Sequence, residues 1–293
     1  MTEPLKPGFY TRIPHATYHD DPCERPSLSA SIASVVVGQS PAHAYLAHPR
    51  LGGEKWQPTN EMNHGSLCHE LMLKSGREIA IATSEETGEE FQDWRKKEAQ
   101  AFKVAAEARG AIPTLRCKHD AAQETVTNVT ERLRLDYGIE LDGHSECVVV
   151  WVELADDGTE VLCRAQMDHW RPATAMVYDL KFGEDAHPDT CRNKLVPMGY
   201  AIQREAYLRA IGATFPDLVG KAQFEFLFCE VGKPYAVTAM PLGGSMEEVG
   251  RLRWRRAVNL WARCLREERW PAYGRRHAEA RPWELQDSYE EAS

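Results

Sequence analysis

No apolar run in this 293-residue chain approaches the roughly 18 residues that a membrane-crossing helix requires, so no membrane partner is expected. The opening stretch, MTEPLKPGFY, lacks the basic-then-apolar pattern of a secretory signal, and the expectation is a cytoplasmic protein. The 8 cysteines include no C-x-x-C pair, which excludes the usual zinc-ribbon and dithiol redox patterns and leaves free thiols, several on buried faces. There is no internal repeat and no low-complexity tract. Positive charge is also scarce: 35 Lys and Arg stand against 44 Asp and Glu, a net charge of −9. That argues against indiscriminate nucleic-acid binding and leaves only a local basic groove, gathered by the fold, as a surface for polyanions.

What is present is an ordinary globular composition, 43% hydrophobic and 27% charged, in a chain long enough for one large domain or two small ones. Before residue 60 come short elements: Ser27 or Ser29 is placed to cap one helix, and Ser40 with Pro41 to start another. GGEKWQPTN reads as a loop, EMNHGSLCHELMLK (61–74) as a helix interrupted by Gly65, and EIAIA (78–82) as a short strand. Residues 87–109 and 118–135 are charged and helix-prone, and form either a helical arm or a helix pair packed on the core. ECVVVWVEL (146–154) and EVLCRAQMDHW (160–170), separated by Asp156, Asp157 and Gly158, read as a β-hairpin, with AMVYDLKFG as a third strand. A polar loop, EDAHPDTCRNK, leads to a helix over 196–211 and two more strands over 222–231 and 235–242. The last helix opens at the capping box Ser245-x-x-Glu248 and carries Trp254, Val258, Trp261 and Leu265 as its apolar stripe. This order indicates an α/β or α+β architecture with a mixed central β-sheet flanked by helices.

MVYDLKFG (176–183) does not read as ordinary packing. Its two-residue period sets Val177, Asp179 and Lys181 on one face and Met176, Tyr178 and Leu180 on the other, so one face carries a carboxylate and an ammonium together. Asp168 lies near the end of the preceding strand, eleven residues earlier, where the two carboxylates can converge. Converging buried carboxylates need a cation, and Mg2+, which prefers oxygen ligands, suits them. Lys181 would then sit beside the water on that ion and stabilise charge developing on a phosphate. His69 can complete such a site. Gln203 and Tyr207, four apart, share a helix face; the first could orient a water or the lysine, the second could meet nucleic acid or the metal shell. WRKK (94–97) and RLRWRR (251–256) combine cations with tryptophan as phosphate contact and base stacking would. Each feature alone also has a structural explanation: a strand-end turn, a solvated charged face, a hydrogen-bonded helix histidine, a polar pair on an amphipathic helix.

Taken in order, GSLCHELML (65–73), VLCRAQMDHW (161–170), VYDLK (177–181), GYAIQREAY (199–207) and WPAY (270–273) resemble the PD-(D/E)xK nuclease superfamily. Within it they look most like the phage-type exodeoxyribonuclease VIII (RecE-like) family, and the opening GFYTRIPHATYHDDP is similar to that family's start. The resemblance implies a restriction-endonuclease-like core. It implies His69, Asp168, Asp179 and the Leu180 backbone carbonyl as metal ligands, Lys181 as the motif lysine, Gln203 and Tyr207 as the helix motif, and Glu146 as a lesser candidate. Met167 stands where the motif's proline would be, and LKFG follows the second acid where relatives carry small hydroxyl residues.

The implied activity is a Mg2+-dependent deoxyribonuclease, with Mn2+ as a substitute, in which a metal-activated water attacks phosphorus in line and leaves a 5′-phosphate. The family further implies a 5′-to-3′ exonuclease on linear double-stranded DNA, serving phage-type recombination by single-strand annealing. Its expected partners are an annealing protein and further copies in a homo-oligomeric ring, in the bacterial host cytoplasm if phage-encoded. Three alternatives stay open: a Cas4-like or RecB-like nuclease of other polarity or endonucleolytic action, a catalytically silent DNA-binding or assembly subunit, and a hydrolase of another phosphate ester. The expected organisation is an N-terminal arm over 1–60, a nuclease domain over 61–273 with a helical insertion at about 87–135, and a polar tail over 274–293.

Overall fold

Val148, Val149, Val150 and Trp151 give the chain its strongest strand signal. In the computed structural model, which describes residues 3–11, 13–53, 60–74, 77–274 and 283, they lie at the centre of a long strand beside a similarly long neighbour. The elements in order are β1 (Gly8–Tyr10), α1 (His15–His19), α2 (Ala30–Gly38), α3 (Pro41–Ala47), α4 (Asn60–Leu73), β2 (Ile79–Ile81), α5 (Lys97–Ala108), β3 (Ile112–Thr114) and α6 (Arg116–Tyr137). The chain continues with β4 (His144–Leu154), β5 (Glu160–Arg171), β6 (Met176–Gly183), α7 (Pro188–Lys194), α8 (Tyr200–Thr214), β7 (Gln223–Glu230), β8 (Val237–Pro241) and α9 (Gly244–Glu267). The main sheet has six strands in the order β1-β4-β5-β6-β7-β8, and β2 and β3 form a separate parallel pair. Within the main sheet only β6 and β7 run parallel, and the crossover this demands is supplied by α7 and α8.

Helices cover both faces. On one, α2, α8 and α9 bury Ile32, Val36, Ile202, Ala206, Trp254 and Trp261 against Cys147, Val149, Cys163, Met167 and the Phe224–Phe226–Phe228 stripe of β7. On the other, α6 sets Val129 and Leu133 against Tyr178, Leu180 and Leu227, so it is packed on the core rather than projecting as an arm. The result is the mixed sheet flanked by helices that the element order indicated. All eight cysteines are free and only Cys117 is exposed. Among the described residues no helix is long and apolar enough to cross a membrane.

Several boundaries differ from the sequence reading, each for a local reason. The helix expected over 196–211 begins only at Tyr200, because Gly199 is left-handed (φ 75°) and a Cβ there would lie 1.9 Å from Ser34 Oγ. The loop before it contains α7, with Pro188 in its first turn and the His187 side chain accepting from the Asp189 N–H. The last helix starts at Gly244 without the capping box, since Glu248 turns instead to Arg251, whose Nε is 2.7 Å away. Residues 87–96 are not helical; Phe91 packs there with Ala82, Ala99 and Leu115. Ser29 and Ser40 do cap α2 and α3, whereas Ser27 is used elsewhere. The short strands β1 and β3 carried no readable signal. The expected polar tail lies outside the described residues except for positions 274 and 283, and most of the GGEKWQPTN loop lies outside them too.

Ser27 belongs to a buried polar cluster that fastens the N-terminal segment to β5. Asp21 accepts from the Ser27 N–H (2.9 Å) and hydroxyl (2.6 Å), His48 Nε2 lies 3.2 Å away, and Arg164 of β5 completes it at 3.2 Å. Arg164 also donates to the Ser27 carbonyl at 2.8 Å, and Leu28 pairs its backbone with Leu162 and Arg164. Burial pushes the Asp21 carboxyl up, but the bond from His48, the Arg164 charge and the bonds from Ser27 outweigh it and hold the pKa at about 2. A carboxyl depressed below its usual 3.8 adds stability that is complete above that value and is lost as the pH falls towards about 2. The contribution is about 2 kcal/mol. Asp21→Asn is therefore expected to cost about 3 kcal/mol of unfolding free energy at neutral pH by leaving Arg164 unpaired. The deficit should shrink below about pH 4, where the native carboxylate begins to lose its own advantage. Urea titrations of both proteins across that window check this; a deficit that stays constant with pH would contradict it.

Candidate metal centre

Strand register brings the acidic residues together. The turn after Leu154 sets that residue opposite Glu160, and counting back along the hairpin places Glu146 across from Asp168, between the pairs Cys147↔Met167 and Ser145↔His169. At this row β5 and β6 part, since they pair only over His169–Arg171 and Met176–Tyr178. Asp168 and Asp179 are the next residues on the two sides of the split. The Leu180 N–H there donates to Asp168 Oδ2 at 2.8 Å, so a carboxylate takes the place of a ladder carbonyl.

The two-residue alternation also breaks at this row. Cys147, Ala165 and Met167 face the core beneath α8 and α9, and so does Trp170, three residues beyond Met167. Glu146 marks the change of phase: it is left-handed, φ 50°, inside β4. For a residue with a Cβ that conformation costs about 1–2 kcal/mol. It is the kind of outlier that gathers at functional sites.

His69 enters from α4, whose Leu67 and Cys68 are buried against Ile112 and Ala122. Its Nε2 is 2.9 Å from Asp168 Oδ2 and its Nδ1 3.3 Å from Glu146 Oε1. Donor atoms of His69, Glu146 and Asp168 all lie within 4.8 Å of one another. Asp179 is fully buried beside them and is engaged differently. One oxygen is ion-paired with Lys181, and the other accepts from Gln203 Nε2 at 2.6 Å. Gln203 Nε2 also donates to Tyr207 Oη (3.0 Å), which in turn donates to the Gln166 carbonyl (2.6 Å). The Lys181 ammonium is steadied over the rings of Tyr200, 4.8 Å away, and Phe226, 5.8 Å away.

The charges act on one another strongly. Burial and the Asp168 charge raise both Glu146 and Asp179 to about 7. Burial works on Asp168 in the same sense, but His69, Lys181 and the Leu180 N–H prevail and hold its pKa low. Burial alone would lower His69, yet Asp168, Glu146 and Asp179 raise it to about 9. For Lys181, Asp179 and Asp168 likewise overcome burial and push it up.

The structure thus gathers His69 and Asp168 with Glu146, the lesser sequence candidate, while Asp179 faces Lys181 and Gln203. The pattern in MVYDLKFG holds: Val177 joins the core beneath α8, Tyr178 and Leu180 the core beneath α6. Leu180 meets the site through its N–H. Tyr207 is buried, its hydroxyl accepting from Gln203 and donating to the Gln166 carbonyl, and Gln203 in turn holds Asp179, the carboxylate paired with Lys181. In the basic tryptophan motifs Trp254 is buried against Trp151, Arg253 and Arg255 bond the Val196 and Leu154 carbonyls, and Trp94 lies beneath Lys103, while Arg95, Lys96, Lys97, Arg251 and Arg256 stay exposed. The prominence of Glu146 was readable in principle, because the hairpin turn alone fixes its partner.

The chain resembles a crystal structure of a candidate exonuclease from Eubacterium rectale, with a TM-score of 0.55 at 12% identity over 91% of this chain and 96% of that one. A phage-related exonuclease from Haemophilus somnus 129PT overlaps over 69% of this chain and 95% of that one, at 14% identity and a TM-score of 0.31, too low to bear on the fold. No curated protein matches. Residues 35–280 match the family described as PDDEXK-like domain of unknown function (DUF3799), and that stretch takes in strands β4 to β8, α4 and every residue of the acidic cluster. The chain belongs to this PDDEXK-like family.

Proposed function

We propose that the protein is a metal-dependent deoxyribonuclease, most specifically a 5′-to-3′ exonuclease on linear double-stranded DNA that serves recombination by single-strand annealing. The observation that carries this reading is the convergence of His69, Glu146 and Asp168 beside the Asp179–Lys181 pair, at the split of a sheet belonging to a PDDEXK-like family. Two carboxylates and an imidazole whose donor atoms lie within 4.8 Å of one another fit a divalent ion with oxygen and nitrogen preferences. His69, Glu146 and Asp168 would hold it, with Asp179 and the Leu180 carbonyl as further ligands; Mg2+ is the proposed ion and Mn2+ a substitute. Such an ion would neutralise the crowded carboxylates and polarise both a phosphoryl oxygen and the attacking water.

The chain's own residues supply the rest. Lys181, positively charged and steadied over Tyr200, presents its Nζ protons to negative charge developing on the phosphate. Asp179 anchors that ammonium, and Gln203, held by Tyr207, fixes the carboxylate's orientation. The proposed organisation is an N-terminal arm, 1–60, packed on a nuclease unit, 61–273, that carries a helical insertion at about 87–135, with 274–293 as a polar tail. An annealing protein and a ring of further copies complete the proposal; a ring lets a chain of net charge −9 turn its basic residues towards one channel.

Two experiments check this reading. On end-labelled linear duplex DNA, digestion is expected only with Mg2+ or Mn2+, and Asp168→Ala and Lys181→Ala should each lower it by at least about a hundredfold. Metal-dependent digestion that survives both substitutions would remove the site assignment. Tyr207→Phe takes away only the hydroxyl linking Gln203 to Gln166. A loss of about 1 kcal/mol, roughly fivefold in rate, is expected with the fold intact. A loss matching that of Asp168→Ala would show that Tyr207 acts in the chemistry itself.

A further inference from the structure

We infer that His169 is a positioning residue whose ring holds the left-handed turn of β4 that aims Glu146 at the cluster. The inference rests on the reading of His69, Glu146 and Asp168 as a metal centre. His169 follows Asp168 in sequence, but its side chain leaves the acidic cluster. It is fully buried, pairs with Ser145 on β4 and Tyr178 on β6, and its ring lies 6.4 Å from the Tyr178 ring at an angle of 30°.

Its two nitrogens bond two of the three residues before Glu146. The Gly143 N–H donates to His169 Nε2 at 3.0 Å, so that nitrogen carries no proton, and Nδ1–H is left to donate to Ser145 Oγ at 3.3 Å. The tautomer follows from the bonds, and the neutral ring is the form that can make both. Neighbouring contacts act on the same stretch. Asp142 is bound by Arg171 at 2.6 Å, and a Cβ on Gly143 would lie 2.1 Å from the Trp170 carbonyl, which confines that position to glycine. Residues 142, 143 and 145 are thus held by 169, 170 and 171, and the next residue is the one with φ 50°.

A left-handed residue inside a strand persists only when its surroundings over-determine it. Here the ring grips one side of the distortion while its backbone carries the ligand next door. Asp168 and Glu146 are therefore set by one local device, as the outer residues of a metal centre commonly set its ligands.

The test is Mn2+ affinity, measured by calorimetry on the full chain, together with amide exchange over residues 142–147 in metal-free protein. His169→Phe should fold, exchange faster over that stretch, and bind Mn2+ roughly tenfold or more weakly. His169→Gln, whose Oε1 can still accept from Gly143, should recover part of the affinity. In a Glu146→Gln background the same His169→Phe change should cause little further loss, because its effect runs through Glu146. Equal weakening in both backgrounds, or unchanged exchange over 142–147, overturns the role given to His169. A wild-type protein that binds no Mn2+ overturns instead the metal-centre reading on which the inference rests.

Discussion

The candidate centre is governed by the cost of setting three carboxylates side by side across one row of a sheet. Glu146, Asp168 and Asp179 belong to three successive strands, and the Asp168 charge makes both of the others harder to ionise. The fold answers with fixed donors: the His69 imidazole between Glu146 and Asp168, the Leu180 N–H on Asp168, and the Lys181 ammonium with the Gln203 amide on Asp179. Buried charge is tolerable only where such partners exist. The opening between β5 and β6 supplies the room, since a continuous ladder would have filled that space with backbone pairs.

The strand carrying Asp168 is held from both sides. Beneath α8, Tyr207 bonds the Gln166 carbonyl; at Arg164, the buried Asp21–Ser27–His48 cluster ties the N-terminal segment to the same strand. His169 fixes the far side through Gly143 and Ser145. Asp168 thus sits between residues whose positions are set by tertiary contacts. Preorganisation of this kind separates a reactive arrangement of charges from a merely crowded one.

Much of this was legible in the chain. Alternating apolar residues in β4 to β8 gave the strands, and the charge pair in MVYDLKFG broke their pattern where chemistry was expected. The serine caps of α2 and α3 were readable because capping is a local interaction. What escaped the sequence depended on distant contacts. The place of Glu146 opposite Asp168 follows from the hairpin turn, but its left-handed backbone does not. That Tyr207 links Gln203 to the Gln166 carbonyl was not readable, because helical spacing does not say which side of α8 meets the sheet. Trp254 was readable as part of the last helix's apolar stripe, but its stacking on Trp151 depends on helix-to-sheet packing. The helix of 188–194 was missed because its polar composition masks a start set by Pro188 and the His187 ring.

The account centres on one shared ion site, and the most direct measurement is the anomalous diffraction of Mn2+ in crystals of the wild-type protein. The expected result is a peak within coordination distance of Glu146, Asp168 and His69, lost in Asp168→Asn. A peak elsewhere, or none at this row of the sheet under saturating Mn2+, would contradict the central claim.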